Sequence, residues 1–407
     1  MTGGVDVAIV GGGAAGIAAA RRLAERGRSV LIIEALQRLG GRAHSMTIEG
    51  MALDLGCGWL HSARRNPLAA LAEEEGQVLD RSEGAWHKQL CNINFPPEDQ
   101  REAWAAYEHF RQQLRIDPPS SDRAGDFVAR DDRWRPFLDA LSSFINGAEL
   151  DQLSAADFVA YDSAAGETNW RLPQGYGAFI AGLGGDLPTA LQTSVQSVSH
   201  DRGVVIETDR GTIHAAAAIV AVSTAVLGAG AIRFAPGVDD HLHAASRLPL
   251  GLADKVFLSL ADPQAVPAES HLLGRLDRAE TGSYYIRPFG CPIVECYLGG
   301  TFAHELEDTG EAAAESFVIG ELRDLLGADF ARGLAAMAVT RWAKEPSIGG
   351  SYSHALPGHA DARAILGRPV NERLCFAGEA CSQQDYSTAH GAWQSGIAAA
   401  DWIERWL

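Results

Sequence analysis

The segment VDVAIVGGGAAGIAAARRLAERGRSVLIIE, residues 5–34, constrains this chain more than any other. An apolar run of strand character ends at Gly11, where Gly11, Gly13 and Gly16 supply a GxGxxG turn. An Ala-rich helical stretch follows and closes near Gly27, and SVLIIE then reads as a second strand. Strand, turn, helix and strand make a βαβ unit, whose two strands lie parallel under the helix that connects them. Each glycine has a separate use. Gly11 permits the tight turn, Gly13 lets backbone N–H groups approach a pyrophosphate, and Gly16 lets helix and strand pack closely, while the helix N-terminus favours the anion. Glu34 ends the second strand 18 residues beyond Gly16 (34 − 16), where a carboxylate can hydrogen-bond ribose hydroxyls and repels a 2′-phosphate. That disfavours NADP and leaves FAD and NAD open.

Composition narrows the partners. At roughly 100–200 residues per domain, 407 residues favour two or three domains. Lys plus Arg number 34 against 52 Asp plus Glu, a formal charge of −18, which argues against a nucleic-acid partner and welcomes a cationic small molecule. Cysteines 57, 91, 291, 296, 375 and 381 form no CxxC pair and no zinc spacing. They read as thiols of a reducing compartment, so we expect no metal and a cytoplasmic protein. Strand character begins by Val5, which leaves no room for a secretory signal. The uncharged run Ala215–Ile232 just reaches membrane-helix length. Its Ala, Gly, Ser and Thr content, and the turn-separated runs SVQSVS and VVIETD before it, favour a buried strand plus loop instead.

Further along, residues 69–170 turn charged and aromatic with helical periodicity, broken by Pro-Pro pairs at 96–97 and 118–119. Residues 194–222 read as a β-meander with turns at His200–Gly203 and Asp209–Gly211. The C-terminal end reads as strand, loop and long helix.

Six further segments stand in a telling order: RLGGRAHS (38–45), DLGCGWLHSARRNPLAALAEEEG (54–76), PQGYGAFIAGL (173–183), LGLADKVFLSL (250–260), RWAKEPSIGGSYSHALPG (341–358), and CFAGEACS followed by STAHGAWQSGIAAA. With the opening turn they resemble the FAD-dependent amine oxidases, the family of monoamine oxidases, polyamine oxidases and histone lysine demethylases. The GWLH stretch and Asn66-Pro67 look most like polyamine oxidases. The resemblance implies an α/β fold in which a Rossmann-type FAD-binding domain (1–72, 171–248 and 341–407) is interleaved with a mixed α+β substrate-binding domain (73–170 and 249–340). It also implies oxidation of an amine, a polyamine among the candidates, to an imine by hydride transfer to flavin N5, with reoxidation by molecular oxygen to hydrogen peroxide. An isoprenoid desaturase, an amino-acid oxidase or a non-catalytic FAD scaffold remain alternatives. Oligomeric state is not legible.

Roles carried over by the resemblance are these. Gly11, Gly13, Ala14, Ala15 and Gly16, with Glu34 and Ala35, hold the dinucleotide. Gly41 and Arg42 lie along the cofactor, Gly58 and Trp59 face the flavin region, and Val195 sits beside the adenine. Gly378 and Glu379 contact the ribityl and phosphate groups. Thr388 and Ala389 open a helix whose dipole faces the flavin. Lys255 holds a water against N5, Trp342 and Tyr352 wall the substrate cavity, and His61 handles the cationic substrate. Departures also matter. Ser351 stands where monoamine oxidases carry the flavin-linking Cys, so FAD is expected to be non-covalent. Thr388 falls at the second cage aromatic, which leaves Tyr386 as the substitute, and Leu36 replaces a frequent Arg.

Overall fold

The computed structural model describes residues 4–86, 88–92 and 95–407. Strand Val5–Val10, helix Ala14–Ala24 and strand Val30–Ile33 form the expected βαβ unit, with Val7 opposite Val30 in parallel register. The strand Gly211–Val220 joins on the other side, Val7 opposite Ala217, also parallel. Such strands are covered on both faces, which explains why VDVAIV, VLII and AAAAIV are apolar without alternation. Val7 and Ile9 enter one core with Ala399 and Ile403, while Ala8 and Val10 enter another with Leu227, Leu248 and Leu366.

The first half of Gly211–Val220 pairs with the antiparallel strand Val204–Thr208, whose other neighbour is Val195–Ser199. Its last residues pair instead with Leu374–Phe376. One strand thus carries both the meander and the C-terminal return into the same eight-stranded sheet. The uncharged run Ala215–Ile232 is this strand plus a loop and a short helix, Thr224–Gly228. Among the described residues no helix is long and apolar enough to cross a membrane.

A second sheet is antiparallel, in the order Ser270–Leu273, Ser283–Ile286, Ile293–Gly299, Ala253–Leu260, Leu334–Val339. It shares one core with helices Pro97–Ile116, Arg135–Asn146 and Glu311–Leu326 through Phe110, Phe137, Leu258, Val318 and Leu322. Pro97 occupies the first turn of its helix, where a missing N–H costs nothing.

Two features bind these parts. The closing helix Ala389–Ile403 lies on the opening helix so tightly that a Cβ at Gly396 would stand 2.1 Å from the Ala15 carbonyl oxygen. Asp157, on helix Ala155–Ala164, accepts both arms of the fully buried Arg363 at 2.6 and 2.8 Å, tying the helical region to the C-terminal segment.

Candidate active site

A cavity of 870 Å3 runs between the two sheets. One part of its wall is the turn after strand Val5–Val10, with Gly11, Gly13, Ala14 and Ala15, together with Glu34, Ala35, Gly41, Arg42, Val195, Gly378, Glu379, Thr388 and Ala389. The rest is Gly58, Trp59, His61, Lys255, Trp342 and Tyr352, joined by Trp86, Trp104, Tyr107, Phe144, Tyr161 and Tyr297. Of the sequence-predicted residues, Gly16 and Tyr386 stay off this wall. A Cβ at Gly16 would sit 2.0 Å from the Gly11 carbonyl oxygen, so this glycine serves the helix–strand contact.

The nucleotide side fits a dinucleotide on its own geometry. The opening helix has Gly13 as its N-cap, with no side-chain cap and no acidic residue in the first turn, so its first N–H groups are left for an anion. A Cβ built at Gly13 would meet nothing nearer than the Gly40 carbonyl oxygen at 3.9 Å, which places open space beside this backbone. Glu34 is buried and accepts from Gly12 N (2.6 Å) and Leu36 N (2.8 Å), fixing its carboxylate at the end of the second strand. Burial raises its pKa, and those backbone donors work against the rise. Arg42 Nη1 donates to Ser351 O (2.6 Å) and to Glu379 Oε1 (2.9 Å). Burial opposes the charge of Glu379, but Arg42 and Arg363 outweigh it and hold the carboxyl below the usual glutamate range. Thr388 caps the closing helix, accepting from Gly391 N at 3.0 Å.

Ser351 Oγ donates to Ala253 O and accepts from Ala253 N, both at 2.8 Å. This hydroxyl is pinned to a strand and offers no thiol for a covalent link.

Lys255 lies 2% exposed on the strand Ala253–Leu260. Its Nζ donates to Asp54 O (2.6 Å), pairs with Glu295 Oε1 (2.7 Å) and stands 4.7 Å from the centroid of the Tyr297 ring. Tyr297 is directly opposite in the antiparallel register, and Glu295 is two residues before it. Burial works against the ammonium, yet Glu295 and Tyr297 outweigh it and carry the pKa above the ordinary lysine range. Lys255 is therefore a fixed cation, met by Asp54 O, Glu295 and Tyr297.

Trp342 is anchored by its backbone N–H to Asp254 Oδ1 (3.2 Å) and by Nε1 to Leu55 O (3.3 Å). Tyr352 donates its hydroxyl to Phe144 O (2.6 Å). His61 has Nδ1 3.0 Å from Asn169 Oδ1, and burial pulls its pKa down to about 4, so the ring is neutral near pH 7.

Tyr386 does not line this cavity. Its hydroxyl donates to Asp157 O (2.8 Å) and the Arg363 guanidinium covers its face at 3.6 Å. Tyr161, 5.2 Å from it, reaches the cavity instead. Tyr161, Trp104, Tyr107, Tyr297 and Glu295 were not singled out from sequence. The AWAAY spacing, residues 103–107, could have flagged Trp104 and Tyr107 as one helix face. Tyr297 and Glu295 needed the strand register.

The family model of flavin containing amine oxidoreductases matches residues 97–403, and that of an NAD(P)-binding Rossmann-like domain matches residues 9–74. Polyamine oxidase 4 of Oryza sativa subsp. japonica is 28% identical over 439 residues, covering 97% of this chain and 88% of its own length. Polyamine oxidase 2 of Arabidopsis thaliana is 26% identical over 451 residues, 97% of this chain and 87% of its own. In fold, the chain resembles a redesigned putrescine oxidase with a TM-score of 0.79 at 19% identity, covering 98% of this chain and 99% of the other.

Proposed function

This chain belongs to the flavin containing amine oxidoreductase family, and from that membership we propose that it converts an amine, oxygen and water into an aldehyde, a shorter amine or ammonia, and hydrogen peroxide. The cofactor is FAD, which supplies a two-electron acceptor between the amine's α-carbon and oxygen. The observation that carries the reading is the placing of Lys255, Trp342 and Tyr352 on the same cavity as the glycine turn.

The protein's part is binding, orientation and electrostatics. Gly11 to Ala15 and the free N–H groups of the opening helix would hold the pyrophosphate, Glu34 the ribose, Val195 the adenine side, and Gly378, Glu379 and Arg42 the middle of the cofactor. Trp342 and Tyr352 are held by hydrogen bonds at their polar ends, so their rings form a rigid wall against which an amine's α-carbon is positioned. The closing helix turns its positive end, at Thr388 and Ala389, toward the site, where it stabilises negative charge. Lys255 presents a fixed positive charge on the cavity wall, beside which an ordered water would be held. His61, neutral and fixed on Asn169, can accept a hydrogen bond from a substrate nitrogen. Only the neutral amine can give up a hydride, so turnover rises with pH as the substrate deprotonates. Six free cysteines support a cytoplasmic setting.

The test is an anaerobic amine panel. An amine that bleaches the flavin absorbance, with colour and peroxide returning on admission of air, is the expected result. Bleaching by an isoprenoid or an α-amino acid alone would replace this reading.

A further inference from the structure

Three carboxylates touch the cavity wall, Glu34, Glu345 and Glu379, and each is engaged on the cofactor side. Glu34 accepts from Gly12 and Leu36, and Glu379 from Arg42, Ser353 and Ser387. Glu345 accepts from Ser347 and acts on Arg38, beside the Gly40–Gly41 turn. Away from the nucleotide turn the described wall carries chiefly rings and apolar groups, among them Trp86, Trp104, Tyr107, Phe144, Ile145 and Tyr161, with His61, His271 and Ser283 as polar members that carry no carboxylate. The residues outside the description, 1–3, 87, 93 and 94, include no Asp or Glu.

Ring faces can bind a cation, but several here already hold the protein's own. Arg171 lies over Trp59 at 4.8 Å, and Arg111 over Tyr107 at 5.6 Å. Lys255 lies 4.7 Å from Tyr297, and the carboxylate paired with it, Glu295, is already taken up by its ammonium at 2.7 Å. A diamine or polyamine delivering one neutral nitrogen for oxidation brings at least one further ammonium. That charge would have to leave water on a described wall that holds no unengaged carboxylate to meet it. A flat or aliphatic body with no second charge instead gains from contact with these rings.

We propose that the substrate is a monoamine with an uncharged aromatic or aliphatic body, and that diamines and polyamines are poor substrates. This rests on the amine-oxidation reading above. The relatives named polyamine oxidases are 26–28% identical to this chain, and this inference concerns the wall facing the substrate.

The experiment compares 2-phenylethylamine and hexylamine with putrescine and spermidine on the flavin-loaded enzyme. Anaerobic bleaching gives the reductive rate, and quenching of tryptophan emission in enzyme first reduced with dithionite gives binding without turnover. The monoamines should exceed the diamine by about 100-fold or more in kcat/KM, the scale of an unpaired buried charge, and should bind the reduced enzyme more tightly. Putrescine or spermidine matching or exceeding them overturns the proposal while leaving amine oxidation standing. Failure of every amine to bleach the flavin overturns both, and is a different outcome. Ile145, 40% exposed on the cavity wall, accepts a new charge without burying it. Ile145→Glu should move the putrescine-to-hexylamine ratio up about tenfold, the size of one well-formed charge pair. An unmoved ratio in a folded, flavin-bound variant counts against charge as the discriminant and overturns the proposal.

Discussion

At the scale of single residues, Lys255 shows how a site cation is made safe. A lysine with 2% exposure survives only because Asp54 O and Glu295 meet it. Lys255→Met should therefore do two separable things. Reoxidation of reduced flavin should slow at least about tenfold with FAD still bound, as expected for a lost general electrostatic contribution. Stability should fall by about 1–3 kcal/mol, because Glu295 is left without its partner. Lys255→Met combined with Glu295→Gln should recover most of that stability in urea melts and none of the oxygen reactivity. Unchanged oxygen reactivity in either variant would remove Lys255 from the reaction. Asp254 makes the complementary case. Burial and the hydrogen-bonded carboxyl of Glu307 push its pKa well above the usual aspartate range. Its folded pKa is raised, so its contribution is complete below the unfolded carboxylate pKa and is lost as pH rises toward the folded one. Asp254→Asn keeps an acceptor for Thr340 and Trp342 and supplies an N–H to Glu307. It should lose less stability than the parent as pH rises above the ordinary carboxylate range, and a steeper loss in urea titrations would refute the raised pKa of Asp254.

At the scale of elements, the decisive contact is between the first helix and the last. Gly396 permits it, since a Cβ there would stand 2.1 Å from backbone at Ala15. Backbone cannot move aside as a flexible side chain can, so Gly396→Ala should push the closing helix outward at a cost of about 1–3 kcal/mol. Because Thr388, Ala389 and the opening turn share the cavity wall, flavin content after purification should fall with it. A fully yellow, equally stable variant would show that the helices can separate without disturbing the site. The strand register matters in the same way. Pairing Lys255 with Tyr297 places Glu295 two residues along on the same face, and a slip of one residue would put both away from the ammonium.

At the scale of the whole molecule, buried histidines set the acid limit. Burial pulls both His61 and His354 down to about 4, and among the described residues neither ring nitrogen of His354 has a hydrogen-bond partner. Between pH 6.5 and 4 the unfolded chain binds protons that the folded chain refuses, so stability falls as pH falls. Two such groups give a slope of about 3 kcal/mol per pH unit across that window. Urea denaturation of the holoenzyme should show it, and replacing His354 with Asn should roughly halve the slope. A flat profile from pH 6.5 to 4 would mean these rings are protonated in the fold.

What the sequence determined by itself was whatever depends on neighbours along the chain. The parallel βαβ unit, the meander turns, the closing helix and the glycine-lined nucleotide wall were all legible, because glycine spacing and unbroken apolar runs act locally. Lys255, Trp342, Tyr352 and His61 were found through resemblance and do line one cavity. Tertiary structure alone decided who stands beside them. Glu295 meets Lys255 across 40 residues of chain, Tyr161 rather than Tyr386 faces the cavity, and Trp104 arrives on a helix from the other core. Those contacts come from strand register and helix packing between distant segments, which no local pattern encodes, and they decide the charge and shape a substrate meets.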